Sequence, residues 1–235
     1  MAKEVFNLPQ GSKVALLGWA AMKNLVGGLA FIRLRDGSGY VQVAGRREDL
    51  PEASWKELES VKVESAIYVR GAVRDDPRAP GGKEVKIEEF RVIAPAEEWP
   101  ITRSALKSPS FIFDVRHLSL RGPRTTAIMK IRSEMFRAVF DYFYSHGYHF
   151  IQAPLIVQAA CEGGATLFPL EYFGIETYLS QSAQLYEEAA ICSLEKVFVV
   201  QPAFRAEKSK TPRHLTEFWM VEAEVAFYGL EDIMK

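Results

Sequence analysis

The residues best suited to chemistry in this sequence lie in one stretch, residues 204–224, which reads FRAEKSKTPRHLTEFWMVEAE. The pattern predicts two strands joined by a polar loop. The first strand would end at Arg205 and Glu207, and the loop would hold His214 among further cations. The loop therefore concentrates positive charge beside a predicted sheet.

The second predicted strand would place an aromatic ring and carboxylates on one face, because side chains alternate along a strand. These side chains are Phe218, Met220, Glu222 and Glu224. Together with the cations they would form a poor hydrophobic core but a good site for a charged aromatic ligand such as a nucleotide. A solvent-exposed charged hairpin is the alternative that the residues alone leave open.

The elements around this hairpin are long. Apolar residues recur at helical spacing from Ile128 to Phe143, with Thr125 or Thr126 as N-cap and Gly147 as the stop signal. Residues 148–157 predict a strand interrupted by Pro154, which suits an edge or an interface. A second helix is predicted over 183–194. Two antiparallel strands are predicted over 196–205 and 216–227.

The N-terminal part has a different sequence pattern, which predicts short strands separated by turns. Strands are predicted over 13–22, 29–34, 40–43, 63–73 and 84–93, and a helix over 53–61. Five strands with a helix after the third are typical of an OB-fold barrel. Gly81, Gly82 and Lys83 lack the spacing of a phosphate loop and predict a hairpin turn. The charged, proline-punctuated stretch 95–123 predicts a domain boundary.

Bulk composition indicates an ordinary globular protein. The chain has 235 residues, of which 48% are hydrophobic and 25% charged, and a net charge of −1. Any contact with nucleic acid must therefore come from a local patch. The cysteines, Cys161 and Cys192, have no metal-ligand spacing with the histidines and indicate reduced thiols in a cytosolic protein. No stretch approaches 18 continuous apolar residues, so we expect no membrane span.

Several segments carry a family resemblance. Residues 204–224 resemble motif 2 of class II aminoacyl-tRNA synthetases, of the form Phe-Arg-x-Glu, a variable loop, and Arg-His-x-x-Glu-Phe. Residues 147–156 look like motif 1, which ends in a proline and builds the dimer interface in this family. Segments 161–168 and 178–186 look like the substrate loop and the amino-acid-binding strand and helix of the aspartate/asparagine subgroup. With the barrel, the resemblance covers essentially the whole chain.

The resemblance implies roles at an ATP site. Arg205 would hold the α-phosphate and act in catalysis by stabilising the charge that develops during adenylate formation. Phe218 would stack under adenine, with a plain core residue as its alternative. Glu207 would lie near the exocyclic amine or the tRNA terminus. His214 would approach the distal phosphates. Arg213 is a further candidate there, with a solvated loop cation as its alternative.

The same resemblance implies an amino-acid site. Glu162 would accept a hydrogen bond from the substrate α-ammonium, and Gln184 would add another to the amino acid. In the aspartate enzymes a lysine follows Gln-Leu-Tyr and pairs with the substrate carboxylate, whereas this chain has Glu187 there. With Glu222 on the motif 2 face, the site favours asparagine over aspartate. The alternative for Glu187 is a solvated helix residue.

The barrel would bind the anticodon. In the resembling family, a strand aromatic stacks on the middle anticodon base and a glutamine eleven positions on reads its edge. Phe31 and Gln42 have that spacing. The alternative for Phe31 is ordinary barrel core.

The resemblance thus implies an asparagine–tRNA ligase of protein biosynthesis, with tRNA, asparagine and ATP as partners and a homodimer through motif 1. We expect an OB-fold anticodon-binding domain over 1–95, a linker over 96–123, and over 124–235 the N-terminal part of an α+β class II catalytic domain with an antiparallel sheet. Motif 3 and the acidic ligands of Mg²⁺ would lie downstream, so we expect no metal ligands in this chain and no activity from it alone. An aspartate–tRNA ligase, a paralogue that amidates aspartate, and a non-catalytic tRNA-binding or dimerising fragment are the alternatives. The intact barrel argues against the paralogue.

Overall fold

The computed structural model of the protein describes residues 1–102, 104–158, 166–208, 211 and 213–234. Contacts between Cα atoms divide the chain into two compact units, Met1–Arg121 and Gly122–Lys235. No helix in the described ranges is long and apolar enough to cross a membrane.

The first unit is built on a β-barrel. Its strands are β1 (Lys13–Val26), β2 (Leu29–Arg35), β3 (Tyr40–Arg46), β4 (Ala66–Asp75) and β5 (Lys83–Ala94), and helix α1 (Glu52–Ser60) follows β3. The barrel closes in the order β1-β2-β3-β5-β4, with a parallel β3–β5 pair and antiparallel pairs elsewhere. The predicted OB-fold is confirmed, including the helix after the third strand.

The barrel interior follows from alternation along the strands. In β2, Ala30, Ile32 and Leu34 are fully buried, whereas Phe31 and Arg33 point outward. The inward side chains of all five strands form one apolar cluster, which Trp55 and Leu58 of α1 join. The outer face of the barrel is thereby left available for recognition.

Two glycines are required where strands cross closely. A Cβ on Gly18 would lie 2.3 Å from the carbonyl oxygen of Arg35, and one on Gly71 would lie 2.0 Å from that of Lys86. Any other residue would push the strands apart. The predicted turn at 81–83 is also present: Gly81 and Gly82 have φ values of +79° and +78° between β4 and β5.

The segment after the barrel is anchored to it by ion pairs. Glu64, whose side chain is 5% exposed, accepts two hydrogen bonds of 2.7 Å from Arg35 and one of 3.2 Å from Arg121. Short helices α2 (Pro109–Asp114) and α3 (Arg116–Ser119) lie within the predicted linker. The functional domain boundaries stay predictions.

The second unit opens with the long helix α4 (Pro123–Ser145). The predicted N-cap at Thr125 or Thr126 is wrong, because the helix begins at Pro123 with Gly122 as N-cap. Proline suits the first helical position, where its missing N–H costs nothing. The predicted stop is confirmed, since Gly147 follows the helix with φ +79°.

In the described residues, the central sheet of the second unit has the strands β6 (His149–Phe150), β10 (Lys196–Phe204) and β11 (Glu217–Val225), in the order β11-β10-β6. β10 and β11 form the predicted antiparallel hairpin, and β6 pairs parallel to β10. The single strand predicted over 148–157 is wrong. Its second half, β7 (Ile156–Val157), pairs in another sheet, because Pro154 lies between the halves and cannot donate to a ladder.

A smaller sheet carries the second helix of the unit. In the described residues its order is β7-β9-β8, with β8 at Pro169–Tyr172 and β9 at Ile175–Leu179. Helix α5 (Gln184–Leu194) follows β9 closely and matches the predicted helix, and the short α6 (Leu230–Ile233) follows β11. Because α5 contacts both β10 and β11, this order brings residues after β9 to the central sheet.

The central sheet separates two helices by face. On one face Phe198 stacks on Phe143 of α4 at 4.7 Å, and Trp219 meets Phe136 edge-on at 5.2 Å. The opposite face carries the alternate residues of the hairpin, and α5 packs there through contacts with Glu222. That face is where the candidate site lies.

Candidate functional site

The start of the hairpin loop brings a cation and an aromatic ring together. The Arg205 guanidinium carbon lies 5.3 Å from the centre of the Phe218 ring. Ladder pairing sets this approach, since Phe218 lies opposite Ala203 and the Arg205 N–H donates to the Thr216 carbonyl at 3.0 Å. Phe218 is half-buried and Arg205 is exposed. A planar ligand entering here meets both groups.

All five residues predicted for ATP line one cavity of about 400 Å³. The lining residues are Arg205, Glu207, Arg213, His214, Leu215, Thr216 and Phe218. The volume is in the usual range for small-molecule sites. Nδ1 of His214 is engaged with the Thr211 hydroxyl, so Nε2 is the ring nitrogen outside this bond. A ring face with cations around it suits a base and its phosphates.

The segment predicted to bind an amino acid lies beside this hairpin. The backbone N–H of Phe204 donates to the Ser180 carbonyl at 3.0 Å, and that of Ala206 to the Thr166 carbonyl at 2.9 Å. Glu162, the predicted partner of the α-ammonium, lies outside the described residues, as does Cys161. The backbone bonds nevertheless bring Thr166 and Ser180, one from each predicted substrate segment, to the end of β10 and the residues just after it.

Glu222 joins the hairpin to the start of α5. Its side chain accepts hydrogen bonds from the Ser182 hydroxyl and from the Ala183 N–H, the latter at 3.0 Å. A carboxylate is favoured there, because the N-terminus of a helix carries partial positive charge. Gln184, one position further, is half-buried and donates from Nε2 to Glu188 at 3.0 Å. Glu222 thus contacts Ala183 at the start of α5, and Gln184, the next residue in sequence, is the first of the helix.

Glu187 is buried, so its alternative as a solvated helix residue is wrong. It is 1% exposed, and burial next to Glu222 and Glu224 raises its pKa to about 8. Burial and the nearby Glu188 and Glu222 also raise the pKa of Glu224. Helical spacing could have indicated this position, because Glu187 follows buried Ala183 by one turn.

Phe31 and Gln42 lie on the outer face of the barrel. Phe31 pairs with Ala44, and Gln42 with Arg33, so the two are diagonal neighbours on adjacent strands. Both are half-buried, and Phe31 is not part of the apolar core cluster. This geometry opposes the core alternative for Phe31 and leaves its ring accessible.

Sequence reasoning missed the residue that holds Gln42. Glu84, fully buried at the start of β5, accepts a hydrogen bond of 2.7 Å from Nε2 of Gln42 and another from Arg74. Gln42 and Glu84 are opposite each other in the parallel β3–β5 pair. Because these residues are 42 positions apart, no local signal could have joined them.

Metal binding finds no support in the described part of the chain. There, no group of three or more His, Cys, Asp and Glu is arranged to hold an ion. Cys192 is a free, exposed thiol. We therefore assign no described residue to Mg²⁺.

A closed OB-fold barrel followed by a sheet whose hairpin carries Arg205 and Phe218 at one cavity is the arrangement that the resemblance to class II aminoacyl-tRNA synthetases implies. Comparison with known families agrees. The family of class II tRNA synthetases "(D, K and N)" matches residues 108–235, and the OB-fold nucleic acid binding domain matches residues 14–93. The chain belongs to the class II tRNA synthetases for aspartate, lysine and asparagine.

Two curated relatives illustrate the similarity in sequence. The asparagine–tRNA ligase of Thermococcus kodakarensis is 49% identical over 226 residues, covering 96% of this chain and 52% of that protein. That of Desulforamulus reducens is 43% identical over 95% of this chain and 52% of its own length. The chain therefore spans about half the length of the curated relatives it matches.

Solved structures of both asparaginyl- and aspartyl-tRNA synthetases are similar to this chain. Asparaginyl-tRNA synthetase from Pyrococcus horikoshii, complexed with asparaginyl-adenylate, superposes with a TM-score of 0.89 at 45% identity, covering 96% of this chain and 52% of that one. A putative aspartyl-tRNA synthetase from Leishmania major superposes with a TM-score of 0.82 at 26% identity, covering 95% and 47%.

Proposed function

We propose that this chain supplies the anticodon-binding barrel and the motif 1 and motif 2 parts of an asparagine–tRNA ligase. Such an enzyme activates asparagine with ATP and transfers it to tRNA in protein synthesis. The observation that carries the proposal is the cavity at the hairpin, where the five candidate ATP-binding residues converge around Arg205 and Phe218. The relatives named asparagine–tRNA ligase support it.

The geometry supports specific roles for ATP binding. The Phe218 ring offers a stacking surface for adenine, with Arg205 beside it to hold the α-phosphate. His214 and Arg213 line the same cavity and can meet the distal phosphates, and Glu207 can accept from the adenine amine. Arg205 would act catalytically, because fixed positive charge stabilises the transition state for attack on the α-phosphorus. Mg²⁺ accompanies ATP in this class, and its acidic ligands are proposed to lie outside this chain.

Asparagine is the proposed amino acid. Gln184 and Glu222 lie at the start of α5, and Glu162 is proposed to take the α-ammonium. An aspartate side chain would meet Glu222 and Glu224 with a like charge, which disfavours its binding in a partly desolvated site. Glu187 adds a third carboxyl group where the aspartate enzymes carry a lysine, so that position offers no cation to an aspartate carboxylate.

The barrel is proposed to bind the tRNA anticodon. Phe31 would stack on the middle base, and Gln42, held by Glu84, would read its edge. A fixed glutamine amide loses little freedom when it binds, which favours selective hydrogen bonding.

We further propose a cytoplasmic homodimer formed through motif 1 and helix α4. Several large apolar side chains of α4 are exposed in the single chain: Ile128, Met129, Ile131, Met135 and Tyr142. A row of such side chains on one helix is typical of an interaction surface.

The test is asparagine-dependent exchange between ATP and pyrophosphate. It is measured on the purified chain alone, and on the chain mixed with the C-terminal half of the Thermococcus kodakarensis relative. We expect exchange on mixing, at least about 10-fold stronger with asparagine than with aspartate. Arg205→Ala should lower the exchange rate about 10²–10³-fold, whereas the neighbouring loop variant Lys208→Ala should stay near wild type.

The other outcomes are equally informative. Preferred exchange with aspartate would make the chain part of an aspartate–tRNA ligase. If tRNA binds but no amino acid supports exchange in the mixture, the non-catalytic tRNA-binding alternative is correct.

A further inference from the structure

A second cavity, of about 570 Å³, lies at one end of the barrel strands β2 and β3. Its lining residues come from the β1–β2 turn, the start of β2, and the end of β3 with the turn that follows: Gly28, Leu29, Arg46, Arg47 and Glu48. Two of these residues are cations and one is an anion, so the lining carries a net positive charge. None of these described lining residues is aromatic. The lining therefore suits an anion better than a stacked base.

Arg47 is the unpaired cation of this cavity in the described part of the chain. Its side chain is exposed and forms no ion pair there, whereas Arg46 donates to Oε1 of Glu48 at 3.3 Å. The backbone of Arg47 is held in place, because its N–H donates to the Gly28 carbonyl at 2.9 Å. Within the described chain, the guanidinium N–H groups of Arg47 therefore stay available to a ligand.

The cavity continues the outer face that carries Phe31 and Gln42. Leu29 is opposite Arg46 on the ladder of β2 and β3, and Phe31, two residues further along β2, is opposite Ala44. Residues two apart on a strand share a face and are separated by about 7 Å. This separation is close to the distance between neighbouring phosphates in an extended RNA strand. A strand with one base on Phe31 would therefore reach the cavity with an adjacent phosphate.

We propose that this cavity binds a backbone phosphate of RNA, next to the nucleotide whose base stacks on Phe31. Arg47 donates to the phosphate oxygens through its planar fork, and Arg46 adds positive charge. Glu48 limits the attraction, because it pairs with Arg46 and repels the phosphate. The proposal rests on the proposed binding of the anticodon by the barrel, and it adds a contact that does not depend on base sequence.

The experiment measures binding of the purified chain to an RNA hairpin with the anticodon stem and loop of an asparagine tRNA, between about 50 and 200 mM KCl. Arg47→Ala should weaken binding about 5–10-fold at the lower salt concentration. It should also make the slope of log affinity against log salt shallower by about 0.7–1, the contribution of one phosphate contact. Hairpins with a different middle base should lose the same factor. Arg91→Ala removes an exposed arginine that lies over the Tyr68 ring, and it should change neither quantity.

Glu48→Gln tests the same cavity in the opposite direction. Loss of this carboxylate frees Arg46 from its ion pair and removes a repelling charge, so RNA binding should become about 2–5-fold tighter at the lower salt concentration. Glu134→Gln, on α4, removes an exposed carboxylate that is likewise paired with an arginine, and it should leave RNA affinity unchanged. Because Arg47 and Glu48 are both exposed, the melting temperature should stay near that of the wild type in both cavity variants.

Methylphosphonate substitution in the RNA identifies the phosphate that is bound. Each loop phosphate is replaced in turn by this neutral group. One substitution beside the middle anticodon base should weaken binding to the wild-type chain. The same substitution should have no further effect on Arg47→Ala, because the two changes remove a single contact.

If Arg47→Ala binds the hairpin as Arg91→Ala does, with the same salt slope, while Phe31→Ala binds weakly, the proposal is overturned and anticodon binding by the barrel stands. Additive losses from Arg47→Ala and every methylphosphonate would also overturn it. If inorganic phosphate binds at Arg47 while Arg47→Ala keeps full RNA affinity, the cavity takes a free anion and the RNA assignment is wrong. If the wild-type chain does not bind the hairpin, the proposed tRNA binding and this inference fail together.

Discussion

The properties of the candidate site depend on where a few individual side chains are placed. In the sequence, Arg205 is an ordinary cation and Phe218 an ordinary aromatic residue. In the structure they form a cation–aromatic pair, because the Arg205 guanidinium carbon lies 5.3 Å from the centre of the Phe218 ring. Burial determines the protonation state of Glu187. Its carboxyl group, which is normally ionised at neutral pH, stays protonated and neutral here. Ladder pairing in the hairpin brings Arg205 to Phe218. Packing of α5 against β10 and β11 buries Glu187.

The pKa of Glu187 predicts how stability depends on pH. The folded protein keeps this proton up to about pH 8, whereas the unfolded chain releases it near pH 4.5. The free energy of unfolding should therefore fall as the pH rises from about 4.5 to 8, because folding then requires uptake of a proton. Glu187→Gln should remove this slope and stabilise the second unit at pH 9 by about 2–4 kcal/mol. Hydrogen exchange of β10 and β11 at pH 5, 7 and 9 measures this difference, and parallel curves for variant and wild type would contradict it.

Phe31 provides a test of the barrel surface. Phe31→Ala should weaken tRNA binding by about 1–3 kcal/mol, the usual contribution of an aromatic side chain stacked on a base. The melting temperature should change little, since the ring is outside the apolar core. Leu17→Ala, on the outer face of β1, is the control expected to leave tRNA affinity unchanged. A large fall in melting temperature with unaltered tRNA affinity would show that Phe31 is a core residue of the barrel instead.

At the scale of elements, local sequence patterns predict which strands and helices form, whereas strand pairing determines where each one lies in the fold. The strands of the barrel alternate clearly enough to be recognised, but closure depends on Gly18 and Gly71 at the close crossings. Glu64 is a second example of a contact that no local pattern predicts, because its ion pairs join β2 to the segment after β5. Its backbone has φ +71°, a strained value for a non-glycine residue.

Loss of the Glu64 charge should destabilise the first unit. Glu64→Gln leaves Arg35, which is 12% exposed, without its ionic partner, and we expect a loss of about 2–4 kcal/mol. Glu52→Gln removes an exposed ion pair with Lys56 on α1 and should cost less than about 0.5 kcal/mol. Urea unfolding of residues 1–121 within the intact chain, followed by hydrogen exchange, compares the two variants. Equal effects would mean that the buried pair contributes no more than the exposed one.

At the scale of the whole molecule, the chain combines a nucleic-acid-binding fold with part of a catalytic fold. Its net charge of −1 gives no general attraction for tRNA, so the proposed tRNA binding would depend on the local face around Phe31 and Gln42. The chain spans about half the length of its curated relatives. The proposed activity therefore rests on the residues of its own candidate site.

The exposed face of α4 predicts self-association. Ile131, 68% exposed in the single chain, should be buried between two copies, so Ile131→Glu should shift the chain from dimer to monomer at micromolar concentration. Light scattering after gel filtration gives the mass of each variant. Phe173→Glu, an equally drastic change at an exposed turn on β8–β9, should leave the mass unchanged. A monomeric wild type, or dissociation by both variants, would refute a specific interface on α4.

The sequence by itself determined the barrel, the two long helices and the hairpin, because alternation and helical spacing are local properties of the chain. It also indicated the ATP candidates, since motif 2 is one continuous stretch. Only the tertiary structure decided that Glu84 holds Gln42, that residues 148–157 divide between two sheets, and that Glu187 is buried. Each of these depends on which residues lie opposite one another across strands and helices distant in sequence. Such pairing is fixed by packing of the whole fold, and no short window of residues contains it.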